Sequence, residues 1–395
     1  MIYDGAMALA GAAMGLRARL GDRLWRERLV LDAPPDPATI WVHGASVGEL
    51  TSAQSLIAAL AHDYSISVTA NSITGRDMVR GWGLPARLAP LDAKAPTGRL
   101  LAAMRPRVQI TIEGEFWPIR SRLLAAAGVP QLMIGARISD RSARRWARLP
   151  WVIGPMLARL AGLSAQDPAS EDRLRALGLP EGALLPRLNL KLLAPAAITP
   201  PAPSLARDET WLAASTHEGE DAAILDAHLA ARAARPGLRL ILAPRHPERA
   251  DAVAALITAR GLEFARRSAG ADAGDSDLLL ADTLGEMGRW YAAAGICLTG
   301  GSLVDHGGHT PWEPAAYRCA ILHGPHVANS AESYARLGAA GAARAISSAS
   351  LGAVIAALAG DPAVARAMGD TARSVLIRDA GDPAALLHRI HSLAR

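Results

Sequence analysis

Strand-like and helix-like segments alternate along nearly the whole chain, and this alternation limits the fold more than any other feature. Thr39–His43, Ser65–Ala70, Val108–Glu113 and Gln131–Ala136 read as strands. Thr51–His62, Trp117–Ala127 and Arg141–Ala161 read as helices between or after them. Such alternation makes a parallel sheet covered on both faces. The stretch PAAITPPAP, Pro195 to Pro203, breaks the rhythm with the composition of a stiff linker. Beyond it the alternation restarts. Trp211–Ser215, Leu238–Ala243, Leu278–Ala281, Ile296–Thr299 and Ala320–Leu322 read as strands, with helices at Ala222–Ala234, Pro247–Arg260 and Trp312–Tyr317. The tail from Ser350 to Arg395 is Ala-rich and helical. With 395 residues the chain exceeds one ordinary core, so two α/β domains are expected, 31–200 and 201–395. Ligands of such sheets bind beyond the carboxyl ends of the strands, and a cleft between two domains is the expected site.

Residues 1–30 stand apart. Met7, Leu9, Met14, Leu16, Leu20 and Leu24 alternate with or precede Arg17, Arg19, Arg23, Arg26 and Arg28. The apolar run is too short to span a bilayer, and its charges follow it, unlike a signal peptide. Two readings stay open: a helix lying on an anionic membrane surface, or a first helix packed on its own domain. The net charge of +5 suits anionic partners. Aromatic residues make up only 4 % and no basic–aromatic patches interleave, which argues against nucleic acid. Only two cysteines, Cys297 and Cys319, occur, so a disulfide framework and structural zinc are not expected.

Several short patterns could carry chemistry. Ser46/Glu49, Thr283/Glu286 and Thr310/Glu313 each have S/T-x-x-E spacing, the signature of a capping box at a helix start. Helix N-termini also collect phosphates and carboxylates, so three such starts at strand-to-helix junctions point to a shared anion site. Gly300-Gly301-Ser302 and Gly307-Gly308 follow a strand and permit close backbone approach to a phosphate, though neither a Walker loop nor GxGxxG is present. Arg245 and His246 in APRHPER end another strand, where an Arg suits bidentate binding of phosphate or carboxylate. His217 in STHEGED sits at a third strand end. Glu113 and Glu115 in IEGEFWP could serve acid–base work, or one could cap the following helix. HExxH, GxSxG and Cys/His pairings are all missing, so metal and covalent-nucleophile chemistry lack sequence support.

Taken together the motifs resemble one family. HGASVGE, TGR (Thr74–Arg76), EGEFWP, GARISDRS, STHEGED, APRHPER, DTLGEMGRWY, GGSLVDHGGHTPWEPAA and GPHVAN are similar, in order and spacing, to those of the 3-deoxy-D-manno-octulosonic acid (Kdo) transferases. The likeness spans roughly residues 15 to 335. It implies the GT-B architecture: two facing Rossmann-like parallel-sheet domains, acceptor in the first and nucleotide sugar in the second. It implies transfer of Kdo from CMP-Kdo to the lipid A precursor, lipid IVA, in lipopolysaccharide assembly, with no cofactor and no metal. It places such a protein on the cytoplasmic face of the bacterial inner membrane, peripheral or monotopic. By position, Glu49 resembles the family's catalytic base and Glu115 its second acidic residue. Arg245, Gly285, Glu286, Gly301, Ser302 and Glu313 match the region that holds CMP-Kdo. Arg76, Lys191, His217 and Asn329 resemble further substrate-binding residues. Gly114, Gly135 and Thr310 depart from the Thr, Asn and Asn usual in the family. Two alternatives remain: another GT-B transferase using a UDP-sugar, or a non-catalytic membrane-associated scaffold. Glu49 raises the question that separates them, since it could be a cap or a base.

Overall fold

The apolar runs become buried strands in two separate parallel sheets. The computed structural model describes residues 2–32 and 34–395, the side chains of 2–4, 6 and 8–12 excepted, so Leu9 lies outside the described side chains. The first compact unit is Met1–Ala194 with Ala380–Arg395, and the second is Pro195–Asp379.

The first unit holds β1 (Ile40–Gly44), β2 (Ile66–Ala70), β3 (Ala86–Leu88), β4 (Val108–Ile112), β5 (Gln131–Ala136) and β6 (Leu160–Ala165). Their order is β3-β2-β1-β4-β5-β6, the doubly wound order. Strands β1, β2 and β4 are buried at every position, as expected of a sheet covered on both faces. The strand order reverses between β1 and β4, which pair in parallel from Ile40↔Val108 to His43↔Thr111. The chains leaving the two strands diverge there and open a crevice.

The second unit holds β7 (Thr210–Thr216), β8 (Arg239–Pro244), β9 (Ala265–Arg266), β10 (Leu278–Leu280), β11 (Ile296–Thr299), β12 (Ala320–His323) and β13 (Ala343–Ala345). The order is β13-β12-β11-β7-β8-β10-β9, again all parallel. Here the order reverses between β7 and β11. The core beneath is Trp211, Ile224, Leu240, Leu242, Leu298 and Leu322 with the helix Ser348–Gly360.

Two expectations need correction. Arg141–Ala161 is not one helix but two, Asp140–Ala147 and Pro150–Leu157, followed by β6. Leu149 before Pro150 sits outside helical geometry at φ −128, ψ 54, as the proline ring demands of its predecessor. The LAGLSA of β6 lacks β-branched residues and so gave no strand signal. The last helix, Ala384–Ala394, belongs with the first unit and not with the second domain. Leu386, Ile390 and Ala394 enter the core of the first sheet, and His391 Nδ1 lies 2.9 Å from the Tyr64 hydroxyl. Among the described residues no single helix is long and apolar enough to cross a membrane.

Candidate active site

Glu49 lies at the sheet's reversal point in the first unit, on the helix Val47–Ser52 that follows β1. The Ser46 hydroxyl caps this helix, accepting from Glu49 N–H at 3.2 Å. The reciprocal half of a capping box is displaced by one residue. Glu49 Oε2 accepts from the Ala45 N–H at 2.6 Å, while Oε1 meets the Ser46 hydroxyl at 3.3 Å. Oε2 therefore holds the turn, and Oε1 has only one long hydrogen bond. Burial pushes the Glu49 carboxyl above its ordinary value, the Ala45 N–H opposes this, and Glu113 and Glu115 add to it by like charge. A cavity of about 540 Å³ runs beside this helix, lined by Gly48, Thr51, Ser55, Leu190 and Lys191.

The other two carboxylates come from the loop after β4. Glu113 takes φ +57, a left-handed conformation uncommon for a non-glycine residue. Its carboxylate pairs with Lys191 Nζ at 3.0 Å. Glu115 accepts from Asn71 Nδ2 at 2.9 Å and faces His43 Nε2 at 3.7 Å. Burial pushes Glu115 up, but His43, Asn71 and Arg120 outweigh it and hold the carboxyl below its usual range.

His43 and Arg120 support this group, although the sequence reading singled out neither. His43 is fully buried, and burial with the nearby Arg120 cation lowers it to about 4. The Thr69 hydroxyl accepts from the Trp41 indole at 2.8 Å and lies 2.9 Å from His43 Nδ1. Thr69 thus holds the His43 ring so that Nε2 faces Glu115. The Arg120 guanidinium is sandwiched between Trp41 and Trp117, at 5.2 and 5.1 Å from the ring centres. Spacing in the sequence cannot reveal this support, because β1, β2 and the helix after β4 each contribute one part.

Arg76 is placed differently from expectation. Its guanidinium bonds Glu27 at 2.5 Å and Asp77 at 2.8 Å, tying the helix Arg23–Arg28 to the helix Ile73–Gly81. It also lines a cavity of about 840 Å³ with Arg19, Arg23, Arg26, Arg80 and Arg87.

In the second unit the candidate donor residues gather at the carboxyl edge of the sheet. His217 follows β7, Arg245 follows β8, Glu286 follows β10 and Gly301 follows β11. Arg245 is exposed, and among the described residues no carboxylate forms an ion pair with it. The glycine loop does not offer its amides to a ligand. Glu220, fully buried, accepts from the N–H groups of His217, Gly301, Ser302 and Leu303 at 2.7 to 3.0 Å. An internal carboxylate therefore fills the nest that the glycines suggested for a phosphate. The Ser302 hydroxyl is also used internally, donating to Thr299 O at 2.5 Å and accepting from Gly324 N–H at 2.9 Å.

The other two S/T-x-x-E patterns are not capping boxes either. Glu286 is itself the N-cap of Met287–Ala293, and its carboxylate pairs with Arg267 at 2.8 to 3.1 Å and with the Thr283 hydroxyl at 2.5 Å. Gly285 before it needs φ +83. Pro311 is the N-cap of Trp312–Ala316, one position before the first-turn site expected for it. Glu313 is exposed there and accepts from Tyr291 OH at 3.2 Å. Asn329 braces the preceding loop through His306 O at 3.1 Å. Glu220, His306 and His309 escaped the sequence reading, although STHEGED and HGGH carry them beside residues it did single out.

Residues 23–194 match the family profile described as 3-Deoxy-D-manno-octulosonic-acid transferase (kdotransferase). A 3-deoxy-D-manno-octulosonic acid transferase of Haemophilus influenzae is 35 % identical over 317 residues, covering 77 % of this chain and 74 % of its own length. The chain belongs to the Kdo transferase family. It is thus an enzyme of the glycosyltransferase class. A second Kdo transferase, from Bordetella pertussis, is 36 % identical over 335 residues, 78 % of this chain and 76 % of that one. Among solved structures, a UDP-N-acetylglucosamine 2-epimerase aligns at TM-score 0.53 and 13 % identity, covering 91 % of this chain and 96 % of that chain. At that identity the likeness concerns the fold alone, and the fold is GT-B.

Proposed function

We propose that the chain moves Kdo from CMP-Kdo to a hydroxyl of lipid IVA, in lipopolysaccharide core assembly. The observation that carries this is the placement of Glu49: at the reversal point of the first sheet, with one oxygen lightly bonded and an affinity for protons raised by burial and two neighbouring carboxylates. A raised carboxyl is a better proton acceptor near neutral pH. Glu49 Oε1 takes the proton from the attacking hydroxyl as oxygen bonds to the anomeric carbon and CMP departs. Glu115, kept ionised by His43 and Asn71, orients the acceptor. Arg245 meets the phosphate, so charge that develops on the leaving group is stabilised by a fixed cation. Glu286 and Glu313 shape the donor pocket from two helix starts, where their partners Arg267 and Tyr291 hold them. The amides of Gly301 and Ser302 act through Glu220, as loop scaffold.

The lipid partner fits the N-terminal region. Leu16 and Leu20 are 61 % and 80 % exposed, and Arg19 joins the arginine-lined cavity to an apolar one of about 660 Å³ lined by Met7, Leu29, Leu31 and Pro96. We read this as a peripheral contact with an anionic membrane surface on the cytoplasmic face. The test of the reaction is mass spectrometry of lipid IVA after incubation with the protein and CMP-Kdo made in situ. A gain of one or two Kdo masses is expected. No gain with folded protein and fresh donor sinks the assignment for this acceptor.

A further inference from the structure

Four imidazoles meet at the reversal point of the second sheet. His217 follows β7, His246 follows β8, and His306 and His309 lie in the loop after β11. His217 Nε2 is 2.9 Å from His309 Nε2. The His217 ring stacks on His306 at 4.3 Å and on His309 at 5.1 Å, and meets His246 edge-on at 5.9 Å. The His217–His309 contact is at hydrogen-bond distance.

The hydrogen-bond arrangement fixes the protons. Two ring nitrogens in contact need a proton on one and a lone pair on the other. The Ser215 backbone favours a proton on the His309 ring, and with Nε2 turned to His217 that preference falls to Nδ1. Ser215 is held at φ +57, where its carbonyl lies against Gly300 too closely for any Cβ there. In the neutral pair His309 Nε2 is therefore the acceptor and His217 Nε2–H the donor. His217 Nδ1 is left as a bare lone pair, which repels an anion. One added proton turns Nδ1 into a donor and gives the pair a positive charge.

Several groups face the pair. Arg245 and His246 approach from the end of β8, His306 from its own loop, Glu220 from the start of the helix Asp221–Ala234, and Glu313 from the helix Trp312–Ala316. Asp305 beside His306 is 3.6 Å from His326. Burial comes first in holding both His217 and His309 below the usual imidazole value; His306 adds to it at His217 and Arg245 at His309. The free pair is thus neutral above pH 7. A Kdo nucleotide has one phosphodiester charge and one carboxylate. Arg245 offsets one of them, and Glu220 denies the loop amides to the other.

We infer that binding of the anionic nucleotide draws one proton from solvent into the His217–His309 pair, so that a protonated imidazole pair and Arg245 receive the two negative charges together. This rests on the second unit being the donor domain. The test is calorimetric titration of CMP into the full chain at pH 7.5 in PIPES, HEPES and Tris, whose ionisation heats differ. The slope of heat against buffer heat counts protons, and about one taken up per CMP is expected. In His217→Gln the ring that would take the proton is gone, so uptake falls toward zero while CMP binds more weakly. Equal uptake in both proteins, or none in the wild type with CMP bound, overturns the inference and leaves the donor reading standing. Absence of CMP binding by folded protein overturns both. Should His217→Gln fail to fold, imidazole ¹⁵N spectra of the wild type decide the matter. CMP must shift one ring from the neutral to the imidazolium pattern, and unchanged ring shifts with CMP bound reject the idea.

Discussion

A carboxylate that closes its own helix turn is able to take a proton if its second oxygen stays lightly bound. Glu49 meets that condition, with Oε2 on the Ala45 N–H and Oε1 on a single 3.3 Å contact. Gln retains an oxygen for Ala45 but no longer accepts a proton. Glu49→Gln is therefore expected to melt like the wild type and to lose on the order of 10²–10⁴-fold in kcat. Activity within a few fold of wild type shows Glu49 to be a cap. The pH profile gives a second check. The base works ionised, so turnover rises with pH through the Glu49 value, which burial first and Glu113 and Glu115 next raise above the ordinary carboxyl. Glu113→Gln removes one of these charges and leaves Lys191 unpaired. Both changes favour ionised Glu49, so the acid limb of kcat should move to lower pH by a fraction of a unit. A shift to higher pH contradicts this arrangement of charges.

At the scale of strands and loops, position was legible and loop detail was not. β1, β2, β4, β7, β8 and β11 were readable because they are short runs dominated by β-branched and aliphatic residues. β3, β9 and β13 are only two or three residues long and carry no periodic signal. The three S/T-x-x-E patterns failed as boxes because other groups captured the acids: Arg267 for Glu286, Tyr291 for Glu313, and the amide one residue before the cap, that of Ala45, for Glu49. Two departures from the family pattern have local causes. A Cβ on Gly114 would sit 2.4 Å from the Arg137 carbonyl, so no Thr fits there. Gly135 has φ +59, a region that Gly and Asn both enter. Glu220 is the clearest case of a loop made by a remote residue. Its carboxylate satisfies four buried N–H groups, and in Glu220→Gln an amide nitrogen would face some of them. A loss of about 3 kcal/mol in urea denaturation is expected, together with loss of CMP binding. An unchanged midpoint means the loop is held by other contacts.

Across the whole molecule, each unit holds one histidine that is fully buried and neutral. His43 in the first and His228 in the second are each lowered to about 4, mainly by burial. The unfolded chain takes up protons below about pH 6.5 that the native protein refuses. Stability is thus complete above pH 6.5 and falls as pH drops toward 4, by up to about 3 kcal/mol for each histidine. Melting scans from pH 7 to 4 should show this decline, and a flat profile argues against two buried neutral rings. The proposed contact with a membrane surface belongs to the same scale. Under the proposed membrane contact, the first thirty residues supply two kinds of surface chemistry, exposed leucines and arginines. Exposed Leu16 and Leu20 are able to enter the headgroup–acyl boundary, while each arginine near an anionic leaflet adds about 1 kcal/mol. Screening reaches the second part and not the first. The protein should therefore co-sediment with vesicles containing phosphatidylglycerol and much less with pure phosphatidylcholine. Salt raised from about 0.1 M to about 1 M should release most of it, as the Debye length falls from about 10 to 3 Å. Leu16→Ser with Leu20→Ser should weaken binding at both salt concentrations, because insertion is not screened. Equal partition onto the two vesicle types, or binding indifferent to both leucines, returns this helix to a packing role.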